Sequence, residues 1–164
     1  MTSGLTKKAL ALAAVAAFGS TLLGLPGTAS AAEPGLIRNA GDARCLDADL
    51  GTIGGDGTKV QLWDCHGDDN QLWEFEPGGL IRNGQSARCL DADLGGIDGD
   101  GTKVQLWECH GEENQIWDYD RDSGRLVNYL SGRCLDADPD ALGGNGTAVR
   151  LWECHGRPNQ RWYF

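Results

Sequence analysis

The sequence predicts a closed all-β domain built from three four-stranded units, and three observations carry that expectation. One stretch is written three times: Cys45 to Trp73 returns 44 residues later as Cys89 to Trp117, with 23 of 29 positions identical, and 45 residues further on as Cys134 to Trp162. Self-similarity at this period marks one supersecondary unit used repeatedly, each copy unable to bury its apolar face alone. Each copy consists of short alternating segments punctuated by Gly, Asp and Asn, with no helical periodicity beyond residue 31. Each copy also holds one pair of cysteines 20 residues apart. Twelve short strands are best accommodated by closure, which removes exposed sheet edges.

Residues 1–31 read as a secretory signal: Lys7 and Lys8 form a basic start, Ala9 to Leu25 an apolar run, and Ala29-Ser30-Ala31 a small-residue cleavage site, with Ala32 the alternative end. Gly19, Ser20, Gly24 and Pro26 break the run, which argues against a membrane span. The domain expected after it, residues 32–164, divides into repeats at about 35–78, 79–123 and 124–164. It carries 24 acidic and 12 basic residues, a net charge of −12 that repels nucleic acid and anionic membranes. An extracellular protein without a membrane-inserted segment is the expectation.

Within a unit, the first strand is Gly35 to Asn39, echoed by Gly79 to Asn83 and more loosely by Arg125 to Asn128. The second runs from Arg44 to Ala48, with copies at Arg88 and Arg133. A Gly-rich connection follows, in which Asp56-Gly57, Asp100-Gly101 or Asn145-Gly146 supplies the positive-φ positions of a tight reversal. The third strand, Val60 to Cys65, alternates, so Val60 and Leu62 point one way while Gln61, Trp63 and Cys65 point the other. The fourth is Gln71 to Phe75, with Gln115 to Tyr119 and Gln160 to Phe164 as its copies. Trp73, Trp117 and Trp162 are expected in the core, because large aromatics at strand spacing pack inward.

Six cysteines in a short exported chain form a disulfide framework rather than a metal site. The repetition selects Cys45–Cys65, Cys89–Cys109 and Cys134–Cys154, one bridge per unit. No cofactor or metal is expected, since the adjacent Cys65-His66 step converges poorly on one ion. If Cys45 faces Cys65 across an antiparallel pair, Asp47 faces Trp63, and the same arithmetic sets Asp91 against Trp107 and Asp136 against Trp152. A carboxylate beside an indole suits a sugar, whose C–H face lies on a ring while its hydroxyls seek fixed acceptors. Asn70, Asn114 and Asn159, which both donate and accept, are complements. The bland alternatives are a strand-end Asp47 and a core Trp63, though the alternation favours an exposed indole. Gln61 and Gln105 could support the carboxylate instead of touching a ligand.

The Cys-Leu-Asp of each second strand, the Gln61-Leu62-Trp63 step, and the motifs Gln71–Trp73, Gln115–Trp117 and Gln160–Trp162 resemble the ricin B-type lectin family across essentially all of residues 32–164. The Cys-His step is similar to family 13 carbohydrate-binding modules. The resemblance implies a β-trefoil, six strands in a barrel and six in three capping hairpins. It also implies carbohydrate-binding residues Asp47, Trp63, His66, Asn70 and Gln71 in unit one, Asp91, Trp107, His110, Asn114 and Gln115 in unit two, and Asp136, Trp152, His155, Asn159 and Gln160 in unit three. Unit three departs from the pattern: Arg150 replaces the Gln, and Pro139 enters the connection. The assumed pairing sets Arg150 against Asp138, where an ion pair leaves the site intact, or the guanidinium moves onto Asp136 and fills it.

The expected function is a secreted lectin with up to three weak sites for neutral glycans, such as galactose- or xylose-containing polysaccharides. Sulfated or sialylated ligands would meet like charge. A small glycoside hydrolase is the first alternative, but it needs one asymmetric carboxyl pair rather than a threefold constellation, so no catalytic residue is assigned. Calcium binding by Asp47, Asp49 and Asp56 is the second, and the spacing does not match an EF-hand. A trefoil inhibitor or interaction protein is the third, and no distinctive loop marks it.

Overall fold

The computed structural model describes residues 33–164, so the predicted export segment lies outside the described residues. Unit one contributes β1 (Gly35–Leu36), β2 (Arg38–Asn39), β3 (Cys45–Ala48), β4 (Thr58–Trp63) and β5 (Leu72–Phe75). Unit two contributes β6 (Ile81–Asn83), β7 (Cys89–Ala92), β8 (Thr102–Trp107) and β9 (Trp117–Asp120). Unit three contributes β10 (Arg125–Asn128), β11 (Cys134–Ala137), β12 (Thr147–Trp152) and β13 (Trp162–Tyr163). The expected four strands per unit are present, the first of unit one being interrupted at the fully buried Ile37.

The units close in a ring because the first strand of each pairs with the last strand of the unit before it. Thus β5 pairs with β6, β9 with β10, and β13 returns to β2 through Trp162↔Asn39. The barrel is completed by Gly35↔Trp73 and by backbone bonds from Trp117 N to Gly79 O (2.9 Å) and from Trp162 N to Gly124 O (2.7 Å). Gly79 is required at this approach: its φ is +88°, and a Cβ would lie 2.9 Å from Trp117 O. At the opposite end β4, β8 and β12 pair with one another in a triangle through Thr58↔Leu106, Thr102↔Leu151 and Thr147↔Leu62. This is a β-trefoil.

Alternation fills the interior as predicted. Val60 and Leu62 are buried while Trp63 is 38 % exposed, and the same holds for Val104, Leu106 and Trp107. Trp73, Trp117 and Trp162 are core, and each indole N–H donates to the carbonyl of the leucine beside a cysteine, Leu46, Leu90 or Leu135, at 3.0, 2.9 and 3.0 Å. Beneath them Phe75, Tyr119 and Phe164 meet edge to face at the barrel mouth.

Three expectations are corrected. The disulfides have the predicted pairing, with Cα atoms 5.1 Å apart in each, but Cys45 is paired in register with Trp63 rather than Cys65, which lies just past the end of β4. Asp47 therefore faces Gln61, Asp91 faces Gln105, and Asp136, not Asp138, faces Arg150. A shift of two residues preserves the face, so the indole and the carboxylate remain on one side.

Second, the chain is not free of helical turns. One-turn 3₁₀ segments, Asp69–Gln71, Glu113–Gln115 and Pro158–Gln160, precede each fourth strand and hold the glutamines assigned to those strands; another spans Leu94–Gly96. The reason is geometric: neighbouring residues in a strand point to opposite faces, whereas Asn70 and Gln71 both reach the same oxygen of Asp47. Third, Asp56 and Asp100 do not take positive φ, which is left to Gly57 and Gly101 at +86° and Gly146 at +91°. Instead Asp56 accepts from Arg88 Nε (2.9 Å) and Glu108 N (2.8 Å) of the next unit. Asp100 does the same with Arg133 and Glu153, and Asn145 with Arg44 and Asp64 N, which makes a cyclic set of clasps between units.

These placements separate two kinds of tryptophan. Trp73→Ala removes a buried indole and should lower the unfolding free energy by ~3–5 kcal/mol, whereas Trp63→Ala should cost about 1 kcal/mol or less. Urea denaturation of both variants checks the difference, and equal losses would contradict it.

Candidate functional site

Each unit builds the same constellation from its β-hairpin and the 3₁₀ turn before its last strand. In unit one the hub is the Asp47 carboxylate, 3 % exposed. Its Oδ1 accepts from Gln61 Nε2 at 3.1 Å, and its Oδ2 from Asn70 Nδ2 and Gln71 Nε2, both at 2.9 Å. The turn is itself held in place from the next unit: Asn83 Nδ2 donates to Asn70 O, as Asn128 does to Asn114 O and Asn39 to Asn159 O. The sequence assigns Asn39, Asn83 and Asn128 no role beyond ending a strand, and it points to Asp56, Asp100 and Asn145 as turn residues rather than clasps. Their signal was their recurrence at one position per repeat.

Gln71 is positioned rather than presented. It is fully buried; its Nε2 also donates to Asp64 O at 3.0 Å, and its Oε1 accepts from His66 N at 2.9 Å and Gly67 N at 3.4 Å. Gln115 and Gln160 make the same bonds, so the groups of these three glutamines, expected among the carbohydrate-binding residues, are committed to the hub and to the loop after the second cysteine. Gln61 and Gln105 likewise hold the carboxylate, the alternative left open for them.

Asn70 differs. Its Nδ2 is bound to Asp47 and to Ala48 O, but its buried Oδ1 has no partner, and Asn114 Oδ1 in unit two is the same. The cavity of unit one, about 150 Å³, is lined by Asp47, Asp49, Leu50, Gln61, Trp63, His66 and Asn70. That of unit two, about 260 Å³, has the corresponding residues, with Trp107 39 % exposed on its edge. Leu50 and Leu94 stand exposed on the rims. In all three units the histidine Nδ1 accepts from a backbone amide two residues on, at 3.2 Å, which turns Nε2 toward the carboxylate at 3.6, 3.7 and 3.5 Å.

In unit three Arg150 lies among the corresponding residues. Arg150 Nε lies 3.5 Å from Asp136 Oδ1, its Nη2 3.2 Å from Asp138 Oδ1, and its guanidinium carbon 4.3 Å from the centre of the Trp152 ring.

Burial pushes the Asp91 carboxyl above the ordinary aspartate value, against the opposing bonds from Gln115 and Gln105. Burial raises Asp136 as well, against Gln160 and Arg150. Asp120, at the surface, is drawn down to about 2 by Ser123 and Arg125. A raised folded-state value means the folded chain holds these protons more tightly. The resulting stability is present below the unfolded value and is lost as pH rises through the raised one. Carboxyl ¹³C titration should place the Asp91 and Asp136 midpoints above the ordinary aspartate value and that of Asp120 well below it; an Asp91 midpoint at or below the ordinary value would contradict the burial.

The Ricin-type beta-trefoil lectin domain family matches residues 33–162. Among solved structures, the designed 3-fold symmetric protein ThreeFoil is 26 % identical with a TM-score of 0.70, over 77 % of this chain and 94 % of that one. The hemolytic lectin CEL-III is 30 % identical with a TM-score of 0.66, over 80 % of this chain but 30 % of that longer one. The C-half of the earthworm R-type lectin, solved in complex with GalNAc, is 20 % identical with a TM-score of 0.64, over 80 % of this chain and 97 % of that one, and shows the fold.

Proposed function

Because the chain belongs to the ricin-type β-trefoil lectin family and is a carbohydrate-binding lectin, we propose that it is secreted and that units one and two hold neutral pyranoses of galactose- or xylose-containing glycans. The observation that carries this is the pair of cavities in which an indole exposed on one edge, Trp63 or Trp107, stands beside a carboxylate, Asp47 or Asp91, and an asparagine, Asn70 or Asn114. A pyranose laid on Trp63 brings its hydroxyls to these acceptors. One hydroxyl donates to Asn70 Oδ1, and another to the lone-pair position that Asp47 Oδ1 keeps free after Gln61. Leu50 supports the apolar edge of the ring from the rim.

The galactose part of this reading is favoured by the GalNAc complex of the earthworm lectin, and the xylose part by the likeness of the Cys-His step to family 13 modules. Neutral ligands are favoured by charge: residues 33–120 carry 19 acidic and 6 basic groups, so an anionic sugar meets repulsion at both open sites. Binding is favoured over hydrolysis because in units one and two both oxygens of the hub carboxylate already accept hydrogen bonds, which limits their capacity for proton transfer or attack. Export rests on the basic and apolar residues before Ala32 and on three disulfides.

Shallow sites of this kind should have Kd on the order of 0.1–1 mM, roughly 4–5.5 kcal/mol each, and joint engagement of one polymer should raise retention by ~10²-fold. Asp47→Ala is a poor probe, since it would orphan the donors of Gln61, Asn70 and Gln71 as well as removing a ligand contact. Trp63→Ala and Trp107→Ala are cleaner. Each should sharply weaken retention on galactan or xylan, and the double variant should lose it. A glycan array in which heparin or sialylated glycans outrank neutral ones would refute the neutral-sugar reading.

A further inference from the structure

We propose that Arg150 is the resident occupant of the third site, so that unit three accepts no neutral pyranose while its guanidinium is in place. The inference rests on the glycan reading of units one and two, and it concerns which of the three repeated sites is open. Where Gln61 and Gln105 donate a single amide hydrogen bond to Asp47 and Asp91, unit three places a longer, flat cation opposite Asp136. Across the next strand pair Arg150 faces Lys103, a like charge. That neighbour disfavours a side chain lying over β8 and directs it back over its own unit.

There the guanidinium meets both features a sugar would use. It lies 4.3 Å from the centre of the Trp152 ring, on the aromatic face, and spans the Asp136 and Asp138 carboxylates at 3.5 and 3.2 Å. Trp152 is accordingly less exposed than Trp63 and Trp107. Unit three alone has an unbonded buried pair at its hub, Asp136 Oδ1 and Arg150 Nε, which face each other among the described residues. A neutral ligand would have to displace a cation from a carboxylate that is 1 % exposed, and hydroxyls cannot replace that charge. Pro139 also replaces the exposed leucine that rims the other two cavities.

The test follows the indole N–H resonances of Trp63, Trp107 and Trp152, assigned by Trp→Phe variants, during titration with D-galactose and with xylotriose. In the wild-type chain Trp63 and Trp107 should respond and Trp152 should not. Arg150→Gln restores the residue of the other units, keeps a donor for Asp136, and should bring Trp152 into the response, raising the stoichiometry from two to three. The reciprocal Gln105→Arg, which would meet Asp91 and Asp93, should silence Trp107 and leave Trp63 unchanged. A Trp152 response in the wild-type chain parallel to the others, or a silent Trp152 in Arg150→Gln while Trp63 and Trp107 respond, overturns the inference alone. Silence of all three indoles with both sugars overturns the glycan reading, and this inference with it.

Discussion

A carboxylate buried among amides is the constraint on which the rest of each unit depends. Withdrawing an ionised aspartate from water is expensive unless donors replace the lost solvent, and Asp47 has three amide donors from two places in its unit. Gln61 comes from the hairpin strand, while Asn70 and Gln71 come from a turn that must abandon strand geometry to deliver both. The demand for donors therefore shapes the backbone: it creates the 3₁₀ turn, sets where the last strand begins, and through Gln71 ties down the loop carrying His66. The disulfide two residues before the aspartate anchors the other end of that loop.

The same hub explains how three nearly identical units come to differ. The position opposite the hub aspartate holds an amide at Asp47 and a guanidinium at Asp136, and both present N–H groups to Oδ1. Only the guanidinium is long enough to continue onto the indole and onto a second carboxylate. One side-chain exchange can alter the exposed half of a constellation while leaving its buried half intact: Asn159 and Gln160 hold Asp136 as their counterparts hold Asp47.

The fold was legible in the sequence because its information is repetitive: a strand pattern seen once is weak, and the same pattern at three equal offsets fixes unit boundaries, disulfides and inward-facing tryptophans together. The face shared by Asp47 and Trp63 was legible for a related reason, since period-two alternation survives a register shift of two. The register was not, because a disulfide between a strand residue and one just beyond its partner's end looks, in sequence, like a paired position. The turns at Asn70 and Asn159 were hidden because their cause is a tertiary hydrogen bond rather than local propensity. The clasps of Asp56 and Asp100 were taken for turn chemistry because Asp-Gly is so often that; nothing local reveals that the carboxylate faces an arginine 32 or 33 residues away.

The ring of strand pairings separates the unit of repetition from the unit of closure. Each repeat lends its last strand to the next, and β13 of the final repeat reaches back to β2 of the first, bringing the two ends of the described chain side by side. The three seams are all antiparallel and differ only in ladder length, the one that closes the ring being the shortest. The natural break between repeats is therefore a matter of where the chain happens to be cut: joining residue 164 to residue 33 and opening the turn at Pro77-Gly78 would yield a circular permutant with the same hydrogen-bonded circuit. By the same logic, three separate copies of one repeat could rebuild the circuit as a strand-exchanged trimer.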